Sequence, residues 1–220
     1  MRNRHILFTL ALVLLLGCRT EIDDKPAAEM VEGSPTAAPV EPAVRVAVDP
    51  EESRIEFIGA KITRQHVGEF HEFDGWVGYD AENRPVAVEF TIDLASLETD
   101  TKKLDGHLKT ADFFDVENYP TATFTSSSIE PAAEGGGESG TTHTIAGSLD
   151  LHGVNREIRI PATVVESPEG VRATSEFTIN RKDWNINYPG APDDLIRDDV
   201  LIRLDLAFPK SPDAAATTEV

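Results

Sequence analysis

Apolar and polar residues alternate with a period of two through most of the chain between residues 46 and 209. Successive side chains of a β-strand point to opposite faces of its sheet, so this alternation predicts strands that each have one apolar face. The clearest run is 84–93, where one face carries Val86, Val88, Phe90 and Ile92. Six further runs follow the same rule, and their apolar faces carry Ile55 and Phe57; Ala122 and Phe124; Ile145, Gly147, Leu149 and Leu151; Ile158, Ile160, Ala162 and Val164; Val171, Ala173, Phe177 and Ile179; and Val200, Ile202, Leu204, Leu206 and Phe208.

Short turns separate these runs. Gly, Pro, Asn or Asp residues occur at 49–50, 80–83, 152–155 and 167–170, which predicts hairpin connections between most strands. Between residues 67 and 79 the alternation slips, and the glycines of that stretch permit a bulge or a sharp bend.

One segment is predicted to be helical. Leu104, Leu108 and Ala111 recur at the spacing of one helix face, and Asp100 or Thr101 is a candidate N-cap. About eight antiparallel strands and one short helix between strands therefore predict an all-β fold. An eight-stranded antiparallel barrel hides the apolar faces most simply, and a two-sheet sandwich is the alternative.

The first 17 residues, 1–17, have the composition of a signal peptide. Arg2 and Arg4 precede an apolar run at 6–16, which is too short to span a bilayer and is predicted to be removed. The run ends in Leu-Leu-Gly-Cys, which resembles the lipobox of bacterial lipoprotein signals, and Cys18 is the only cysteine of the chain. This resemblance implies a lipidated Cys18 and a membrane anchor, whereas a plain secretory signal is the alternative. By the sorting rule of such lipoproteins, Arg19 in place of Asp implies the periplasmic face of the outer membrane.

Composition divides the rest of the chain. Residues 18–45 are rich in Pro, Ala and Glu without an apolar period, which predicts a disordered tether. Residues 46–209 form the predicted domain, and 210–220 form a predicted disordered tail. The glycine-rich stretch 130–143 is interpreted as a long loop between two strands of the same domain.

Charge excludes one class of partner. The chain has 39 Asp and Glu residues against 20 Lys and Arg residues, and its formal net charge is -19. Nucleic-acid binding depends on clustered cations, so no nucleic-acid partner is predicted. The same acidity repels anionic lipid head groups, and membrane attachment must therefore come from the anchor.

Signatures of enzymes and metal sites are missing from the sequence. It contains no G-x-S-x-G elbow, no H-E-x-x-H motif and no P-loop. His66 and His71 stand five residues apart, which puts them on opposite faces of a regular strand. The acidic run 192–199 lacks the alternating oxygen ligands and the glycine of a calcium loop. We therefore predict no enzyme activity, no metal and no cofactor other than a bound lipid.

The apolar strand faces carry both large and small residues. Phe57, Phe90, Phe124 and Phe177 share these faces with Gly147, Ala162, Ala173 and Ser175, which fill little volume. A barrel of around eight strands is either filled by side chains or wide enough for one small ligand. The small residues favour a hollow barrel, and a filled barrel in which they fit the taper is the alternative.

Three segments resemble the YceI-like family, described as lipocalin-like polyisoprenoid-binding periplasmic proteins. They are GHLKTADFFDVENYPTATF, IAGSLDLHGVNREIRIPATV and INRKDWNINYPGAPDDLIRDDVLIRLDL, and the opening VDPEESRIEFIGAK and the segment FDGWVGYD extend the resemblance over nearly the whole domain. The family implies an eight-stranded lipocalin-like barrel, a helix-bearing excursion beside its cavity, and an apolar interior that takes an isoprenoid or a similar tail. It brings no fixed catalytic set, and because family members can pair, a homodimer is possible.

Bulky apolar residues are the candidate ligand contacts. Of the pair after the helix, Phe113 and Phe114, one is expected in the barrel contact and the other at the cavity mouth, with ordinary core packing as the alternative. The full candidate set is Phe57, Phe73, Trp76, Phe90, Phe113, Phe114, Phe124, Leu149, Phe177, Trp184 and Tyr188. Candidate donors to a head group at the rim are Arg64, His66, Asn180, Arg181 and Asn187.

The predicted function is binding of a hydrophobic small molecule, an isoprenoid-like or fatty-acid-like lipid, by a carrier or sequestering protein of the bacterial cell envelope. Two alternatives remain at this point. One is a structural or stress-response envelope domain with a filled barrel, and the other is an unrecognised enzyme.

Overall fold

The computed structural model describes residues 20–31, 41–61, 63–132, 140–192 and 194–210. The predicted signal peptide, Cys18, the predicted tail from residue 211 onward and the glycines at 135–137 lie outside these residues.

Strands dominate the described part of the chain. They are β1 (Glu29–Met30), β2 (Val44–Ala47), β3 (Arg54–Ala60), β4 (Gln65–Phe70), β5 (Phe73–Tyr79), β6 (Pro85–Asp93), β7 (Leu97–Thr99), β8 (Thr121–Pro131), β9 (His143–Leu151), β10 (Val154–Ser167), β11 (Gly170–Asn180), β12 (Gly190–Ala191), β13 (Asp194–Leu195) and β14 (Asp199–Pro209). One α-helix, α1, spans Lys102–Leu108, and short 3-10 helices span Glu21–Asp24, Leu94–Ser96 and Arg181–Trp184. None of the helices in these ranges has the length and apolarity needed to cross a membrane.

The long strands form one curled antiparallel sheet. Eleven strands follow each other in the order β2-β5-β6-β8-β9-β10-β11-β14-β3-β4-β7, and β1 adds to β10. The predicted all-β fold with one short helix is confirmed for the described residues, whereas the predicted count of eight strands is not. The difference arises because the slip predicted between residues 67 and 79 separates two strands, and because β2 and β7 are too short to show a period of two.

A corner at His71 and Glu72 makes the sheet curl. These two residues connect β4 to β5, although the two strands lie near opposite ends of the strand order. The corner is fixed by backbone hydrogen bonds, because the His71 amide donates to Ser96 Oγ (3.1 Å) and the Asp93 amide donates to the Glu72 carbonyl (2.9 Å). Both ends of the sheet are therefore held close together, and the apolar faces of the strands enclose one interior.

Helix α1 lies beside this interior and ends earlier than predicted. Its Leu104 and Leu108 pack against the apolar core, and the helix ends at Leu108 instead of continuing to Ala111. Asp105, which is 6% exposed, accepts hydrogen bonds from the amide and the hydroxyl of Thr99, both at 2.6 Å. These bonds lower the pKa of Asp105 and fix the helix to β7.

Residues 20–31 do not behave as the predicted free tether. This segment, which we call the strap, covers the outer face of the sheet. Ile22 is 3% exposed and packs against Ile58, Ala60 and Leu201, which form a second apolar cluster outside the curled sheet. The sequence did not predict the docking because a single isoleucine gives no apolar period, and the burial of that side chain is the main stabilising contact of the segment.

The strap also fills a gap between two neighbouring strands, β10 and β11. β10 pairs with β9 up to Ala162 and with β11 only from Thr163, so its first half separates from β11. In this gap the Ala28 amide donates to the Thr178 carbonyl (2.8 Å), and the Thr178 amide donates to the Pro26 carbonyl (2.8 Å). β1 pairs with β10 on the other side, and Ala28 packs against the main core. The strap thus satisfies backbone groups that the separation of the strands leaves unpaired.

We expect the strap to contribute measurably to stability through Ile22. Ile22→Ala should lower the free energy of unfolding by about 2–4 kcal/mol, because it removes buried methyl and methylene groups and leaves a cavity under the strap. Met30→Ala is the matched control: Met30 is 43% exposed on the same segment and should cost about 0.5 kcal/mol or less. Urea unfolding measures both changes, and equal midpoints for the two variants would contradict the docking.

Candidate functional site

The curled sheet encloses a cavity of about 320 Å³. Inward-facing apolar side chains of the strands line it, including every second residue of β14 from Val200 to Phe208. At about 3.3 Å per strand residue, this row extends over roughly 26 Å. A cavity of about 320 Å³ that extends along a row of side chains roughly 26 Å long is narrow and elongated.

Seven of the eleven candidate ligand contacts lie in the cavity wall. They are Phe57, Phe90, Phe113, Phe114, Phe124, Leu149 and Phe177. Five of these were selected from the apolar faces of predicted strands, so the period of two was sufficient to identify them. Contact with a ligand remains a prediction for each of them.

The other four candidates lie outside the cavity wall. Phe73 packs in the buried core opposite Ile92. Trp76 lies beneath the Arg45 guanidinium, whose carbon is 4.1 Å from the ring centroid. Trp184 is fully buried and donates from Nε1 to the Leu149 carbonyl (3.2 Å), which closes one end of the barrel wall.

The two phenylalanines after the helix both line the cavity. Phe114 meets Phe57 and Phe70 edge to face, with ring centroids 6.0 and 5.9 Å apart. Phe113 contacts Tyr188, the fourth candidate outside the wall, at 5.2 Å. Both phenylalanines therefore combine core packing with a place in the wall, and a position of one of them at the cavity mouth stays a prediction.

Several wall residues were not predicted from the sequence. Phe70 was seen only as part of the slip before the corner, and Leu104 and Leu108 were interpreted only as the apolar face of a helix. Ile186 and Ile196 also line the cavity, but they belong to the irregular connection between β11 and β14, where no period exists to mark an inward side chain.

Among the described residues that line the cavity, the polar ones lie near its two ends, except Glu56 in the middle of β3. We call one end the strap end, formed by Ala60, Lys61, His66 and Ile196. His66 Nδ1 lies 2.9 Å from Asp100 Oδ1, and this contact orients the imidazole. Of the candidate rim donors, His66 and Arg181 line the cavity, whereas Arg64, Asn180 and Asn187 do not.

The hydrogen-bond donors of Arg181 are bound to protein acceptors and are not free for a ligand head group. Its guanidinium donates to the carbonyls of Arg197 (3.1 Å) and Ile186 (2.6 Å) and to Asp198 Oδ1 (3.2 Å). Its side chain is 5% exposed, and this burial lowers the pKa of Arg181. The residue therefore holds the connection between β11 and β14 against the wall, since its donors are already engaged.

The opposite end, which we call the far end, is formed by Tyr79, His143 and Glu166. Burial, with the nearby Glu166 carboxylate as a second cause, raises the pKa of Tyr79. The phenol therefore stays neutral and can donate a hydrogen bond at neutral pH. Among the described residues, no group of three His, Cys, Asp or Glu side chains is placed to hold a metal ion.

Comparison with known families decides the assignment. Residues 47–208 match the YceI-like domain. The chain belongs to the YceI-like family. The protein YceI of Escherichia coli O157:H7 is 35% identical over 127 residues, which are 54% of this chain and 62% of that protein. A UPF0312 protein of Pectobacterium atrosepticum matches with the same identity and the same coverage. The match thus spans less than two thirds of the length of these relatives.

Solved structures share the fold of this YceI-like domain. The BcnA protein of Burkholderia cenocepacia superposes with a TM-score of 0.63 at 25% identity, covering 73% of this chain and 98% of that one. A polyisoprenoid binding domain from Saccharophagus degradans gives a TM-score of 0.58 at 18% identity, covering 75% and 98%. The second likeness establishes the fold alone.

Glycines set the free width of the cavity in this YceI-like domain. Gly68 lies directly opposite Phe57 on the neighbouring strand, and a Cβ built on Gly68 would be 2.3 Å from the Phe57 ring. Gly75 has the same relation to Phe90, with a distance of 2.3 Å. The rings therefore lie flat on the backbone of the adjacent strand, and the lumen stays open although the wall carries many large residues.

We expect Gly68→Ala to narrow the cavity. The new methyl group must displace the Phe57 ring toward the lumen, which should weaken binding of an apolar probe about tenfold and lower stability by about 1–3 kcal/mol. Gly106→Ala is the control, because a Cβ there meets nothing within 4 Å on an exposed face of α1. The control should leave probe binding unchanged and stabilise the protein by up to about 1 kcal/mol.

Fluorescence titration with a pyrene-labelled fatty acid, combined with urea unfolding, measures both effects. Equal probe affinity in Gly68→Ala and in the unmodified protein would show that the position of the Phe57 ring does not set the width of the cavity.

Proposed function

We propose that this YceI-like domain binds a chain-like apolar lipid, of isoprenoid or fatty-acid type, along the interior of its curled sheet. The observation that carries the proposal is the shape and chemistry of the cavity: it is long and narrow, its sides are almost entirely apolar, and apart from Glu56 its polar lining residues lie near its ends. Such a space suits a hydrocarbon tail whose polar head group remains at one end.

Energetics support a guest in this space. An apolar cavity of about 320 Å³ costs on the order of 8 kcal/mol when nothing fills it, at about 24 cal/mol per Å³. That cost is comparable with the whole stability of an ordinary domain, about 5–15 kcal/mol. A tail that buries roughly 400 Å² gains on the order of 10 kcal/mol before ordering costs. Filling the cavity therefore stabilises both the ligand complex and the fold.

Family membership supports the same class of ligand. A structural neighbour from Saccharophagus degradans is described as a polyisoprenoid binding domain, and its fold matches this chain over most of its length. The open cavity argues against the alternative of a filled barrel. Family and cavity also favour a binding protein over an enzyme, because the site presents apolar surface and not a nucleophile with its base.

We further propose that the protein acts in the cell envelope as a carrier or a sequestering protein, attached to the membrane through a lipid on Cys18. The Leu-Leu-Gly-Cys sequence and the apolar segment before it support this part of the proposal. The periplasmic face of the outer membrane and a homodimer remain predictions.

A lumen-filling substitution tests ligand binding. Ala173 lines the cavity on β11, and Ala173→Phe should abolish stoichiometric lipid because the protein's own ring occupies the space. Thr174→Phe is the matched control: the neighbouring residue points to the exposed outer face of the same strand and should retain lipid.

The measurement is organic extraction of the full chain purified from bacterial membranes, followed by mass spectrometry. One lipid per chain in the unmodified protein and in Thr174→Phe, with none in Ala173→Phe, is expected. An unmodified protein that carries no lipid and takes up no pyrene-labelled fatty acid would refute the proposed function.

A further inference from the structure

The beginning of the strap is fixed to the strap end of the cavity. Arg197 Nη1 donates to Thr20 Oγ1 at 2.8 Å, and its guanidinium also pairs with Asp23. Hydrogen bonds from Arg197 hold the pKa of Asp23 well below its usual range, so the Asp23 carboxylate of this pair is ionised at neutral pH. Thr20 is therefore held beside Arg197.

Arg197 in turn belongs to the rim of the cavity. Its amide donates to the carbonyl of Ala60 at 2.8 Å, and the preceding Ile196 forms a bridge with Lys61. Ala60, Lys61 and Ile196 are wall residues of the strap end. One residue thus connects the start of the strap with the strap end of the cavity.

Further contacts prevent the strap from detaching as a unit. Glu21 pairs with Arg203, Lys25 pairs with Glu176, and Ile22 is buried between them. Exposed ion pairs alone are worth little, but here they flank a buried apolar side chain and a set of backbone hydrogen bonds. The strap is therefore part of the folded domain from Thr20 onward.

The proposed anchor point is only two residues before the strap. Two residues of fully extended chain reach at most about 7 Å, so an anchor on Cys18 would not let Thr20 move further from it than that. A free tether over residues 18–45 would instead separate its ends by about 30 Å on average. Docking of the strap removes almost all of this freedom.

We propose that the strap holds the strap end of the cavity against the membrane to which Cys18 is attached, so that an apolar ligand passes directly between the bilayer and the lumen. This inference rests on the proposed function and adds the partner surface, which is a lipid bilayer. Lys61 suits such an interface, because it lines the strap end of the cavity and its ammonium is paired with Asp194 Oδ2 at 3.6 Å.

Spacer insertion tests this orientation. The chain from Cys18 onward, produced without residues 1–17 so that the thiol of this only cysteine stays free, is coupled through Cys18 to phosphatidylcholine vesicles that contain a maleimide lipid and a pyrene-labelled fatty acid. A 20-residue Gly-Ser spacer between Arg19 and Thr20 should slow transfer of the probe into the protein about tenfold or more, because it lets the domain leave the surface.

The matched control carries the same spacer between Pro35 and Thr36, after the strap. Since the strap already fixes the domain to the anchor, this insertion should leave the transfer rate unchanged. Equal slowing by both spacers would show that the strap does not hold the domain, and no slowing by either would show that the strap end is not the entrance.

A separate titration distinguishes failure of the proposed membrane orientation from failure of the proposed function. Each variant is titrated with the same probe in detergent solution, where no membrane is involved. Probe binding in solution together with equal transfer rates overturns only the orientation, whereas loss of binding in the unmodified protein overturns the proposed function as well.

Discussion

An apolar interior that its own side chains do not fill is the constraint on which this molecule depends. The lumen stays open because the wall is rigid: the antiparallel ladder curls at the corner of His71 and Glu72, and large rings lie flat on glycines of the neighbouring strand. Unfilled apolar space forfeits dispersion contacts. The hydrocarbon guest of the proposed function would supply the missing atoms and thereby couple ligand binding to fold stability.

The strap pairs backbone groups at a place where the curled sheet separates. A sheet that bends this strongly must separate somewhere, and here β10 leaves β11 along its first half. The separation exposes backbone groups such as those of Thr178, next to the apolar wall of the lumen. Covering the gap with residues 26–31 pairs these groups, which a flexible tether could not do.

The sequence predicted the wall well and the ends of the barrel poorly, for a physical reason. Phe90 and Phe177 could be placed because a strand has a strict period of two, and this period marks the inner face without any knowledge of the partner strands. Trp184 and Ile186 lie in an irregular connection, where hydrogen bonds to distant residues decide which side chain turns inward. The strap escaped prediction because its composition is that of a linker and its docking depends on Arg197 and Arg203, which are distant in sequence.

Charge pairing at the strap end reconciles a strongly acidic protein with the proposed position close to a membrane. A net charge of -19 repels an anionic surface, and within a Debye length of about 8 Å this repulsion is not screened. At the strap end, however, two acids are paired with bases: Asp194 with Lys61 and Asp23 with Arg197. These pairs neutralise part of the local acidic charge, so the proposed entrance can approach lipid head groups while the rest of the acidic surface stays in solvent.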